Sequence, residues 1–284
     1  MKRFFILASL VILLTGLANA QQKQLYILQT SDTHSRIEPI AATAADRNAG
    51  MGGVVRRAAF VKEYRQQHPQ ALLFDCGDIS QGTPYYNFFQ GEVEVKAMNL
   101  MKYDAMALGN HEFDFGMDNL ARLCRLADFP VLSANYDVAG TVLEGLVKPY
   151  VVLEREGLKI GVFGISPQLE GLVQADKCAG ITYKDPVAAA VETVKVLREQ
   201  EHCEVVICLS HLGIVREPDP SQSYDNELVA RTEGIDLILG GHTHTFMEQP
   251  AMYQNAAGQE VPIMHVGKSG VYVGEVCLTL SAED

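Results

Sequence analysis

The chain has too few cationic side chains to suit a nucleic-acid polymer as a standing partner. Its 284 residues carry 23 Lys and Arg against 35 Asp and Glu, a net charge of −12, and phosphate backbones are held mainly by Lys and Arg. A small phosphate ester stays compatible with that balance, because a bound cation dominates the local field whatever the net charge. Fixed-period repeats, a Pro-rich linker and low-complexity blocks are also missing between Gln21 and Asp284, which favours one large domain. A second long apolar run is absent too. The first, Phe4–Leu17, follows Lys2-Arg3 and precedes Ala18-Asn19-Ala20, the layout of a secretory signal peptide. It is short for a membrane span, and no Cys sits just past Ala20 to carry a lipid. Residues 1–20 are therefore expected to be removed, leaving 21–284 as one exported domain, soluble in a periplasmic or extracellular space. Losing Lys2 and Arg3 takes the charge to −14, from 21 bases and 35 acids. Six cysteines are present, but Cys76, Cys203 and Cys208 lie in or beside strand-like runs where small buried thiols are common. No disulfide is assigned.

The remaining pattern alternates strands and helices. Helices are predicted over Val54–Gln67, Glu92–Lys102, Met117–Ala127, Pro186–Glu199 and Asn226–Thr232. The fourth has Asp185 as N-cap, Pro186 in the first position and Val187, Val191, Val194 and Leu197 on one face. Five apolar runs, Leu25–Gln29, Ala71–Phe74, Ala105–Leu108, Val205–Leu209 and Leu237–Leu239, read as buried strands. Further strands are predicted at Val131–Ala134, Val151–Glu154, Lys159–Gly164, Pro262–Val266 and Val271–Leu280. With β structure at both ends, a two-sheet core flanked by helices is expected.

Each of the five buried runs is followed by a residue able to bind a divalent metal: Asp32 and His34, Asp78, Asn110, His211, and His242 and His244. Open α/β sheets place ligands just outside the carboxyl ends of their strands, so the five ends are expected to share one crevice. The donors are carboxylate, amide oxygen and imidazole, with no thiolate or thioether. Such a set suits zinc, manganese, iron or cobalt, whereas calcium asks for oxygen alone. Seven donors exceed what one zinc takes, which points to two ions. In such a pair, about 3.5–4 Å apart, a carboxylate commonly bridges and a shared water is acidified enough to act as hydroxide. Asp78 is the expected bridge, since Gly77 lets the backbone turn. Asp32, His34 and His244 are assigned to one ion, and Asn110, His211 and His242 to the other. His111, next to Asn110, is left to face a substrate. Held by Asp114 it can protonate a leaving oxygen, a role typically contributing about 10²–10⁴-fold.

The order Asp-x-His, Gly-Asp, Gly-Asn-His-Glu, His, Gly-His-x-His resembles the calcineurin-like metallophosphoesterases, and Gly109-Asn110-His111-Glu112-Phe113-Asp114-Phe115-Gly116 is most similar to their 5′-nucleotidase branch. The resemblance runs from about Leu25 to Val273. It implies an α/β fold of the metallo-dependent phosphatase type, a four-layer α/β/β/α sandwich, with a dinuclear centre that hydrolyses phosphate esters, nucleotides being the expected class of small substrate. By matching motif, it puts the family's metal ligands on Asp32, His34, Asp78, Asn110, His211, His242 and His244, and its catalytic pair on His111 and Asp114. Nucleotidases of this branch continue into a C-terminal domain that holds base and ester, whereas this chain stops about forty residues after His244. That domain is expected either as a separately encoded polypeptide docking on this one or not at all. A 2′,3′-cyclic-nucleotide phosphodiesterase with 3′-nucleotidase activity, a UDP-sugar pyrophosphatase and a metal- or phosphate-binding pseudoenzyme subunit are the alternatives.

Other residues carry plainer expectations. His68 and His202 sit at helix-to-strand junctions, where helix C-terminal charge is reason enough for a His. His265, inside Ile263–Val266, reads as a satisfied core residue. Cys76, which could ligate a metal, reads as a core filler, and Gly52-Gly53, which could cradle phosphate at a helix N-terminus, reads as a tight turn. Tyr85, Tyr86, Phe88 and Phe89 lie near enough to Asp78 to form a lip, but packing is the expectation.

Overall fold

Successive residues of a strand point to opposite faces, and here both faces are covered. The computed structural model describes residues 23–215 and 223–280; the proposed signal peptide lies outside the described residues. The strands are β1 (Lys23–Thr30), β2 (Leu72–Asp75), β3 (Ala105–Ala107), β4 (Val131–Leu132), β5 (Tyr136–Asp137), β6 (Val147–Lys148) and β7 (Tyr150–Arg155). They continue as β8 (Leu158–Ile165), β9 (Thr182–Tyr183), β10 (Val205–Ser210), β11 (Leu237–Gly240), β12 (Ala251–Gln254), β13 (Glu260–His265) and β14 (Gly274–Leu280). The helices are α1 (Val54–Gln67), α2 (Pro84–Phe89), α3 (Glu92–Met101), α4 (Gly116–Leu126), α5 (Pro186–Lys195) and α6 (Asp225–Ala230).

Two six-stranded sheets form the middle of the molecule. One has the order β14-β1-β2-β3-β4-β6, parallel except for β14 against β1. The other has the order β12-β13-β11-β10-β8-β7, parallel at its centre with antiparallel pairs at both edges. Leu25 and Ile27 of β1 and Leu72 and Phe74 of β2 enter a core shared with Ile207, Leu209, Leu237 and Leu239 of the second sheet. The alternate residues Leu28 and Leu73 face Val61 of α1, Met98 of α3 and Leu120 of α4. Beyond the second sheet, Val206, Cys208 and Ile238 pack against Ala190 and Val194 of α5 and Leu228 of α6. The result is helix, sheet, sheet, helix. Burying each such aliphatic side chain stabilises by about 1.5–3 kcal/mol, and strands buried on both faces read as continuous apolar runs.

The five predicted helices are present within a few residues. Asp185 caps α5 as expected, its side chain accepting from the Ala188 N–H at 2.8 Å, but past Lys195 the helix widens into a π turn over Val196–Gln200. The strand predicted over Val131–Ala134 stops at Leu132, because the Ala134 N–H crosses to the Gly164 carbonyl of the second sheet at 2.7 Å. The last strand begins at Gly274 instead of Val271. The short strands β5, β6 and β9 contain two residues each, too few for a period to show.

Helix α2 overturns the packing expectation for its aromatics. None of its residues is buried; Phe88 is 78% exposed and Phe89 47%. Six residues between Pro84 and the left-handed Gln90 offer no continuous stripe to bury. Tyr86 sets its ring 4.7 Å from that of Phe115, and the Tyr85 hydroxyl donates to Glu38 at 3.0 Å. No helix among the described residues is long and apolar enough to cross a membrane, and all six cysteines are unpaired.

Candidate metal centre

Parallel strands in one sheet end together, and β1, β2 and β3 are neighbours in the first sheet as β10 and β11 are in the second. Asp32 follows the carboxyl end of β1, Asp78 that of β2, Asn110 that of β3, His211 that of β10, and His242 and His244 that of β11. The structure brings donor atoms of Asp32, His34 and His244 within 4.8 Å of one another, and those of Asp78, His211 and His242 likewise. The first triad matches the expected grouping; the second has Asp78, the expected bridge, where Asn110 was assigned, and the loop of Asn110 meets it through the His111 N–H, which donates to Asp78 Oδ1 at 2.9 Å. His111 stands across from the first, its ring centre 5.5 Å from that of His34. Its Nδ1 lies 2.9 Å from Asp114 Oδ2, which also accepts from the Tyr86 hydroxyl at 3.0 Å.

The backbone bends sharply to do this. Asp32, His34, Asp78, His242 and His244 all take positive φ, between 46° and 75°. Left-handed conformations at non-glycine residues cost about 1–3 kcal/mol each, and such strain persists only where surrounding contacts enforce it. Close approach is enforced by glycine. A Cβ on Gly109 would lie 2.2 Å from Asp78 Oδ1, and one on Gly77 would lie 2.5 Å from the Gly109 nitrogen. Both loops must therefore meet with bare backbone.

Several atoms at the site fit a cation. Asn110 Oδ1 is buried and has no hydrogen-bond partner. His211 Nδ1 lies 2.5 Å from the Cys76 carbonyl, so its N–H is donated there and Nε2 faces Asp78 Oδ2 at 3.0 Å and Asp32 Oδ1 at 3.9 Å. Holding one ring nitrogen in this way is how a ligating imidazole is oriented. The Nε2 atoms of His34 and His244 face each other at 3.0 Å, with Asp32 Oδ1 at 4.0 and 3.5 Å. Four imidazoles, an amide oxygen and two carboxylates gathered so closely suit divalent transition metals.

Charge at the site is unevenly distributed. Burial raises Asp32 above the usual carboxylate range, opposed by His211. Burial would raise Asp78 as well, but the adjacent His211 overrides it and holds that carboxyl below its ordinary value. Burial disfavours a charged His211, yet Asp78, Asp32 and Glu112 outweigh it and push the imidazole up to about 10. Two buried carboxylates favour positive charge at this position. Desolvation lowers His34 and takes His242 and His244 down to about 4, leaving all three as neutral ligands at neutral pH. His111 runs the other way: burial lowers it, but Asp114 and Asp78 together raise it, as a proton donor requires.

One residue at the site has no role in the sequence reading. The Glu112 carboxylate is buried and accepts the N–H groups of Asp78, Ile79 and Gly109 at 3.0, 2.9 and 2.7 Å. It ties the loop after β2 to the loop after β3. An acid beside His111 in an otherwise donor-rich motif is the signal that could have found it. The expectations for His68 and Cys76 hold, and that for His265 holds at Nε2. His265 Nε2 lies 2.7 Å from buried Asp225, Cys76 is buried in the core between the sheets, and His68 ends α1 with its ring stacked 3.7 Å from that of Tyr26.

This geometry has relatives. A profile of the calcineurin-like phosphoesterases matches residues 25–246. A snake venom 5′-nucleotidase of Crotalus adamanteus is 33% identical over 270 residues, covering 88% of this chain and 44% of the relative. A trifunctional nucleotide phosphoesterase protein of Bacillus subtilis is 30% identical, over 89% of this chain and 18% of its own length. The crystal structure of a 5′-nucleotidase precursor from Thermus thermophilus superposes with a TM-score of 0.83 at 31% identity, covering 92% of this chain and 52% of that one. The chain thus spans about half, or less, of these proteins. A match across most of its length, on a fold whose strand ends gather two donor triads, establishes that this chain belongs to the calcineurin-like phosphoesterase family.

Proposed function

We propose that residues 21–284 form the metal-dependent catalytic domain of an exported phosphoric ester hydrolase that acts on nucleotides in the manner of a 5′-nucleotidase. The observation that carries this reading is the pair of adjoining donor triads with the His111–Asp114 pair beside them. Asp32, His34 and His244 would hold one divalent ion and Asn110, His211 and His242 a second, with Asp78 between them. Zinc, manganese, iron and cobalt fit the donors. Such ions supply Lewis-acid neutralisation of phosphoryl oxygens and an acidified water as nucleophile.

The chain's own residues do the rest. Asp114 holds Nδ1 of His111, so Nε2 is left to give its proton to the leaving oxygen of the ester. Tyr86 shares the same carboxylate oxygen from the rim and fixes where that pair points. Glu112 keeps Asp78 and Asn110 in register by holding the backbone of both loops. Export is supported by the layout of residues 1–20. Selection of the base is assigned to sequence outside this metal domain, since the relatives are about twice as long as the match.

The relationship to a trifunctional nucleotide phosphoesterase protein keeps cyclic-nucleotide phosphodiesterase and nucleotide-sugar pyrophosphatase reactions in view. Turnover of AMP, 2′,3′-cyclic AMP, UDP-glucose and an aryl phosphate by the purified chain separates them. The proposal expects AMP hydrolysis that a chelator abolishes; activity confined to the aryl phosphate would contradict a nucleotide substrate.

A further inference from the structure

A buried arginine whose Nε has no hydrogen-bond partner lies away from the metal centre. Arg57, in the first turn of α1, is 8% exposed, and its Nε has no hydrogen-bond partner. Asp75 and Tyr103 are close enough to feel its charge. Neither bonds to it: the Asp75 oxygens take the Thr30 hydroxyl and the Gly77 N–H, and the Tyr103 hydroxyl pairs with Thr30. Burying a cation without a partner is expensive, and native chains rarely keep one without a reason.

Arg57 lines a cavity of about 300 Å³ between the start of α1 and the segment Gly270–Val273. Its Nη1 is directed at Gly270, 2.6 Å from where a Cβ there would sit. The same cavity is lined by Gly52, Gly53 and Arg56. Gly53 is the N-cap of the 14-residue α1, with no side-chain cap and no acid in the first turn. The amides of Val55 and Arg56 have no intrahelical acceptor at that position, and the helix dipole adds partial positive charge. No carboxylate lines the cavity, although the chain as a whole is acidic. Arg57, the free first-turn amides and a glycine entrance gather donors on one side of the cavity, while Arg56 donates to the Gly50 carbonyl.

We propose that this cavity binds a small tetrahedral oxyanion of the inorganic phosphate class, gripped by Arg57 and the first-turn amides of α1. The anion supplies the acceptors that Arg57 lacks. It would sit behind the loop carrying Asp32, to which Ser269 is bonded through its N–H at 2.7 Å, and so apart from the metal ligands.

Isothermal titration of inorganic phosphate into the metal-loaded chain and into Arg57→Met tests this. The wild-type chain should bind one more phosphate per chain than the variant, and after chelation it should still bind one. That difference does not depend on whether the metal centre itself takes phosphate, so failure of the hydrolase reading and failure of this site are distinguishable. Arg57→Met should keep wild-type turnover of an aryl phosphate. Arg57→Lys, a milder change, should weaken the chelator-resistant site about tenfold or more, because a point charge replaces the fork. Equal stoichiometry in a folded Arg57→Met, unchanged affinity in Arg57→Lys, or loss of all phosphate binding on chelation overturns the proposal.

Discussion

The two donor triads are held in different ways. Asp78 and His211 are almost wholly buried, and this inner triad is tied to backbone on three sides: Glu112 grips the Asp78 and Gly109 amides, and the Cys76 carbonyl fixes the His211 ring. The outer triad starts from the equally buried Asp32, but His244 is exposed and His34 only partly covered. Its two imidazoles face each other across 3.0 Å with a single carboxylate between them and the interior. The fold brings both sets of donors together, but the outer imidazoles are more exposed and only His34 is tied to backbone, its Nδ1 lying 3.3 Å from the Ser80 carbonyl. An enclosed site and an open one, joined at the carboxylates, leave the open side for an ester to enter beside His111.

Removing the shared carboxylate breaks this contrast most severely. Asp78→Ala should empty both positions and abolish measurable turnover, whereas His244→Ala should release only the outer ion; elemental analysis of the two variants checks the asymmetry, and equal losses would contradict it. His111→Ala should keep the metal content while turnover falls by about 10²–10⁴-fold. Unchanged turnover would remove His111 from the chemistry. Glu112→Gln keeps the size of the inner clamp but sets an amide donor against three N–H groups. Metal affinity should fall by about 10–100-fold, measured by competition with a chelator, and mainly at the inner position; a loss confined to the outer one would reverse the contrast.

The smallest effect lies outside both triads and serves as a control. Burial pushes the Cys124 thiol of α4 up to about 12 from 9.0, and the Tyr183 hydroxyl up to about 12 from 10.0. The folded chain then retains protons that the unfolded chain releases, so stability falls as pH rises between about 9 and 12, by at most about 1.4 kcal/mol per pH unit for each group. Melting temperatures across that range should decline less steeply in Cys124→Ala. An unaltered slope would show that Cys124 ionises alike in both states.

Much of this was readable from the sequence because each donor follows a strand buried on both faces. An apolar run that stops at Gly77-Asp78 or Gly109-Asn110 announces a strand and its end together; four of the five ends meet in the donor triads and the fifth, after β3, packs against Asp78. What stayed hidden has a different physical basis. Glu112 acts through backbone amides of residues 33 and 34 positions away, which no local pattern reports. Helix α2 is rich in aromatics, and the usual link between aromatics and packing failed because the helix is too short to turn a full face inward. The role suggested for Arg57 rests on the partners it lacks, and only a folded chain shows those.

The central claim is that one carboxylate joins two metal positions of unequal enclosure. Elemental analysis of natively purified chain, giving divalent ions per chain, tests it most directly. The account predicts two ions, both lost in Asp78→Ala; a single ion in the purified chain, or two that survive that substitution, would contradict it.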